Sequence, residues 1–166
     1  MTQIADPTQL FLHKLGATLT MEETVVTMLQ ELQDTARDEK LEEQLAHHRE
    51  ETRGQIENLR QAFAAFGKEP QRQPCPVIDA LDQEGKETLR LTLPQLHDAV
   101  ILSGCAEVEH HEIAVYNGLI ELVDGLDMDD VVALLEENLE QEEHTLKEVE
   151  QAFEQQAKQL AKATAA

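Results

Sequence analysis

Read with helical periodicity, the chain contains four long stretches whose apolar residues recur at alternating steps of three and four, the spacing of a helix that buries one face against partners. The first line runs Leu12, Leu15, Leu19, Glu22, Val26 and Leu29. The second runs Leu41, Leu45, His48, then Glu51 or Thr52, then Gln55 and Leu59. The third is Leu102, Cys105, Glu109, Glu112, Tyr116, Leu119 and Val123; the last is Val132, Leu135, Leu139, Glu142, Leu146, Val149 and Phe153. Each line is apolar at both ends and polar in the middle.

Capping chemistry sets the boundaries. Asp6-Pro7 offers an N-cap and a proline at the first helical position, which predicts a helix over 7–36, although Gly16 and the threonines around it lower the propensity locally. Asp38 caps a second helix over 38–66, stopped by Gly67. "KEPQRQPCP", residues 68–76, holds three prolines and reads as a connector, followed by a short helix at about 77–91. Pro94 falls in the first turn of a helix over 93–124. Asp127, with Asp130 as a capping-box-like partner, opens a helix over 127–160 that is expected to fray in "QQAKQLAKATAA". Strand patterns are missing, and Ala, Leu, Glu and Gln abound. Short turns make each pair of long helices an antiparallel hairpin, and the long segment between the pairs crosses over. The prediction is one all-α domain over 1–166, a four-helix bundle with a long crossover containing a short extra helix.

The polar positions agree in height. Glu22 lies fifteen residues before the first turn at Arg37, and Glu51 fourteen after it. Glu109 and Glu112 lie seventeen and fourteen before Leu126, and Glu142 sixteen after. At about 1.5 Å rise per residue, four helices present carboxylates to one midpoint. Buried carboxylates repel one another, and each costs several kcal/mol without compensation. Two ways out exist: sharing protons, or binding cations. A pair of divalent metals fits best, because carboxylates bridge two ions while imidazole fills remaining positions. Glu109 and Glu112 have the i, i+3 spacing of di-iron and di-manganese carboxylate sites, and so do His48 and Glu51.

Net charge supports cations as ligands. The formal charge is −21, from 34 acidic against 13 basic side chains, a field that repels phosphate backbones and anionic membrane surfaces. Nucleic acid and membrane are therefore not expected partners. Two cysteines, Cys75 and Cys105, are too few for a disulfide framework, no apolar run reaches membrane-spanning length, and "MTQIADPTQL" lacks signal-peptide features, so a cytoplasmic location is expected.

With so many acids, most are ordinary. Glu42, Glu43, Glu50, Glu107, Glu136, Glu140 and Glu143 read as solvated-face charges, and helical spacing turns His47, His110 and His111 away from the midpoint, while His144 reads as exposed. His48 reads equally as a ligand, a hydrogen-bond partner to a bound carboxylate, or a satisfied core histidine. Cys105 reads as core filler and Tyr116 as core.

"LFLHKL" (10–15) with a Glu twelve positions after Leu10, "HHREETRGQIENL" (47–59), Cys75 in the connector, "EVEHHEIAVY" (107–116) and "LLEENLEQEEHTL" (134–146) together resemble the YciE/YciF family of ferritin-like, rubrerythrin-related stress proteins. The resemblance spans nearly the whole chain; "HREET" and "EHHEIAVY" are its most specific parts. It implies a dimeric ferritin-like four-helix bundle with a di-metal centre, iron or manganese, held by Glu22, Glu51, Glu109, Glu112 and Glu142 with His48 alongside. The sequence departs from the usual Glu-x-x-His pairs, because Arg53 follows Glu50 by three, Gly54 follows Glu51, and Thr145 follows Glu142. The expected centre is thus rich in carboxylate and poor in histidine. Three functions remain open: two-metal chemistry on oxygen, peroxide or iron; metal binding in stress response without turnover; and a structural or interaction bundle with no metal.

Overall fold

The computed structural model describes residues 3–164, and all their regular structure is helical. Four long helices, α1 (Pro7–Thr35), α2 (Glu39–Ala65), α4 (His97–Asp124) and α5 (Asp129–Thr164), form an all-α bundle, with a shorter α3 (Pro76–Leu91) in the crossover. α1 pairs with α2 and α4 with α5, and the bundle closes through α2 against α5 and α1 against α4. α3 lies outside this square, against α4 and α1.

The caps follow the sequence. Asp6 accepts from the Gln9 amide at 2.8 Å, with Pro7 at the first helical position, and Asp38 accepts from the Leu41 amide at 3.0 Å. At the end of α2, Gly67 has φ of 64° while the Lys68 and Gly67 amides return to the Phe63 and Ala64 carbonyls, the Schellman stop that a glycine permits.

The crossover carries the chain back along the bundle. The Gln73 amide donates to the Gly16 carbonyl at 3.0 Å, Lys86 pairs with Glu31 at 2.7 Å, and Asp98 at the start of α4 accepts from the Arg37 amide at 2.8 Å. α3 therefore climbs beside α1, and α4 starts where α1 ends. Gly16 admits this passage, since a Cβ there would meet the Gln71 carbonyl oxygen at 2.1 Å. The glycine that weakens the helix locally is the one the crossover requires.

Three expectations are corrected. Asp127 does not cap the last helix: it sits in the left-handed region at φ 55°, and the Val131 and Val132 amides bond to Met128, so α5 begins at Asp129. The predicted fraying is not seen, as α5 continues to Thr164, with residues 165 and 166 outside the described ones. Residues 94–96 form a separate 3₁₀ turn, in which the Leu96 amide donates to the Leu93 carbonyl at 2.9 Å, before α4 starts at His97.

The core runs the length of the bundle, through Phe11, Leu15, Leu19, Leu59, Phe63, Ile101, Leu119, Val131 and Leu135. Among the described residues, no helix is long and apolar enough to cross a membrane.

Candidate metal centre

At mid-height the hydrocarbon stops. Glu22 of α1, Glu109 and Glu112 of α4 and Glu142 of α5 are all buried, none exposing more than 1 %. His48 of α2 is 6 % exposed. His48, Glu109, Glu112 and Glu142 each offer a ligand atom within 4.8 Å of the others. His48 Nε2 lies 3.1 Å from Glu109 Oε1. Glu22 joins from α1, close enough to the Glu112 carboxyl to interact with it, with its Oε1 accepting from the Tyr116 hydroxyl at 2.5 Å.

Glu51 stands apart. Its side chain is 24 % exposed, with Oε2 3.9 Å from His48 Nδ1 and Oε1 3.5 Å from His47 Nε2. Of the two residues the pattern allowed here, Thr52 is buried, its hydroxyl donating to the His48 carbonyl at 2.9 Å. Glu51 belongs to the rim, beside exposed His47 and within the field of His144. His110 is exposed; His111 is half-buried, and burial lowers its pKa.

Two residues that seam-reading passed over complete the surroundings. The pattern on the last helix followed Leu139 and Leu146, but Asn138 and Thr145 are the buried ones. Asn138 donates to the Tyr116 hydroxyl at 3.0 Å and to the Gln55 carbonyl at 3.3 Å, and Asn58 donates to Asn138 at 2.8 Å. A relay from Asn58 through Asn138 and Tyr116 thus ends on Glu22. Tyr116, expected as plain core, is fully buried but holds a polar role. The Thr145 hydroxyl lies 3.5 Å from His48 Nδ1, so the residue three after Glu142 faces the imidazole rather than supplying another.

The electrostatics are unfavourable for bare protein. Burial pushes the Glu22 carboxyl from 4.5 to about 7, against the opposing pull of the Tyr116 hydrogen bond. Burial raises Glu112 and Glu142 well above 4.5, and the surrounding glutamates raise both further. Burial alone would lower His48, but Glu109, then Glu51 and Glu142, outweigh it and hold the imidazole well above 6.5. Glu51 is held below its ordinary value by His48. Burial pushes the Cys105 thiol up to about 12, so beside the cluster it stays neutral.

Donors are scarce as well. Among the described residues, no group donates a hydrogen bond to Glu22 Oε2, Glu109 Oε2, or either oxygen of Glu112 and Glu142. Buried carboxylate oxygens without donors carry a full desolvation penalty. Carboxylate oxygens with one imidazole are a metal-ligating donor set, and a divalent ion would satisfy these oxygens together. The residues present therefore fit a metal.

Comparison with known proteins agrees with this layout. The chain is 32 % identical over 137 residues to Protein YciF of Escherichia coli K12, covering 81 % of this chain and 82 % of that one. The crystal structure of the E. coli stress protein YciF superposes with a TM-score of 0.88 at 28 % identity, covering 93 % of this chain and 99 % of that one. YcfI of Rhodopseudomonas palustris, provisionally named a structural protein, gives a TM-score of 0.87 at 34 % identity, covering 89 % and 95 %. With residues 6–162 matching its domain of unknown function, the chain belongs to the DUF892 family, that of YciF.

Proposed function

We propose that the protein binds a pair of divalent transition-metal ions, iron or manganese, at the bundle centre, and that this binding serves a stress response like the one in the E. coli relative's description. One observation carries the reading: four buried ionisable side chains from three helices converge within 4.8 Å, with carboxylate oxygens that no donor among the described residues reaches. His48, Glu109, Glu112 and Glu142 would hold the first ion; Glu22 extends the donor set toward α1, and Glu51 toward the surface.

Bound iron or manganese would supply Lewis acidity and one-electron chemistry toward oxygen or peroxide. The chain's part is positioning and exclusion of water. The Asn58–Asn138–Tyr116 relay fixes Glu22, Thr145 and Glu51 orient the His48 ring, and hydrocarbon lies above and below the cluster along the bundle.

The test is elemental analysis of protein purified without chelators, with anomalous scattering at the iron and manganese edges. About two ions per chain are expected, the number a carboxylate-bridged pair needs. Metal below stoichiometric occupancy, even after reloading with excess ferrous or manganous salt, would overturn the proposal.

The donor set itself favours a second reading, binding without turnover, because His48 is the cluster's one imidazole and Thr145 stands where another could. Stopped-flow oxidation of the ferrous-loaded protein separates the two. Turnover with oxygen or peroxide supports redox function, and inert bound iron supports a binding role.

A further inference from the structure

A cavity of about 120 Å³ lies between α1, α3 and α4. Its inner end reaches His48 and Glu109, and its outer end reaches Glu31, Asp82 and Lys86 at the surface. Between them the walls are hydrocarbon, chiefly Val25, Leu29, Leu32, Leu89, Ile101 and Val108. Gly85 on α3 and Gly104 on α4 also face it, and a Cβ at either would meet nothing within 4 Å. Lys86, paired with Glu31 at 2.7 Å and Asp82 at 2.9 Å, stands over the outer end.

Water and hydrogen peroxide need several polar partners when buried, and these walls do not supply them. An apolar cavity of roughly 150 Å³ engineered into another protein stays dry and takes up xenon or benzene, so one of this size suits a small uncharged molecule. A different opening reaches the same two residues from the side of α2 and α5, where His47, Glu51 and Glu148 line a pocket that ends on His48 and Glu109. The cluster thus has two approaches with largely apolar walls, and the second, which Leu41, Leu45, Leu102 and Val149 also line, carries the acidic groups Glu51 and Glu148.

We propose that the cavity between α1, α3 and α4 is a binding site and approach for a molecular gas of dioxygen's size and polarity, while cations and peroxide use the acidic opening beside Glu51. The site deepens the metal-centre reading, since it delivers its occupant to His48 and Glu109. It forms from this chain's own side chains, so occupancy can be read without metal.

Xenon is the probe. A crystal of metal-free protein pressurised with xenon should show an anomalous peak bounded by Leu29, Ile101, Gly104 and Val108. Gly104→Leu should abolish the peak without loss of thermal stability, because leucine favours helix more than glycine does and its Cβ enters open space. Gly85→Leu fills the cavity from the facing wall and gives the same result if the first variant distorts α4. In ferrous-loaded protein, both variants should slow oxidation by dioxygen several-fold and leave oxidation by hydrogen peroxide unchanged. Absence of the xenon peak, or equal slowing of both oxidants, overturns the proposal. A xenon peak in protein that takes up no metal would sink the metal-centre reading and leave the cavity standing.

Discussion

Leu15, Leu59, Leu119 and Leu135 form one layer of the bundle and are buried almost completely. Seven residues along the same four helices, Glu22, Thr52, Glu112 and Glu142 are buried just as fully. In the leucine layer each side chain contributes about 1.5–3 kcal/mol by leaving water. In the polar layer the same burial opposes folding, since it removes carboxylates from water and gives them few donors. Two layers two turns apart therefore respond oppositely to pH and to divalent ions: the hydrocarbon layer is indifferent, and the carboxylate layer is governed by both.

The contrast can be broken from the hydrocarbon side first. Leu119→Ala should cost about 2–5 kcal/mol, read by urea unfolding, and the loss should be equal with and without metal. A metal-dependent loss would mean the two layers are not separable.

Acidity gives the next largest effect. Glu22 moves from 4.5 unfolded to about 7 folded, so between those values the unfolded chain has lost a proton that the folded chain keeps. Stability of the metal-free protein should then fall as pH rises through that window, by on the order of 3 kcal/mol from this group. Glu112 and Glu142 are raised and push the same way; His48, also raised, loses its contribution as pH climbs through its folded value. Glu51, lowered and partly exposed, opposes them weakly. Calorimetry of chelator-treated protein from pH 4.5 to 7 should show a declining melting temperature; a rising one would contradict the assignment.

Divalent ions should reverse that slope, because protons and metal compete for the same oxygens. At a hundredfold excess over Kd, manganous ion should add about 2.7 kcal/mol at neutral pH. The double variant Glu109→Gln, Glu112→Gln should lose the increment, and an undiminished shift would move the metal elsewhere on this acidic surface. The smallest change is at the relay. Tyr116→Phe removes the hydroxyl that serves Glu22 and Asn138, which should cost about 1 kcal/mol and raise the pH at which Glu22 ionises. A titration of Glu22 by carboxylate infrared bands checks the direction.

What the sequence revealed of this contrast follows from how helices meet. Glu22, Glu109, Glu112 and Glu142 were legible because each interrupts an apolar line where its neighbours do, and the caps at Asp6, Asp38 and Gly67 carry their own chemistry. The exact buried stripe was not. On α1, Phe11 and Val25 are buried while Leu12 and Val26 are only partly so; on α5, Val131, Asn138 and Thr145 take that place. A helix touching two partners buries a face wider than one line, so a seam traced through the leucines misses polar residues one step aside. The cavity was also illegible, since it depends on where α3 settles, which no local pattern fixes.

Gly16 governs that placement from a distance. Its missing side chain lets the connector lie flush on α1, and the same connector leads directly into α3. An alanine there would lift the strap that precedes α3 and loosen the helix forming the outer wall of the hydrocarbon approach. Damage at this position would surface as faster amide exchange in α3 and a leakier interior, several turns away and with every ionisable group intact.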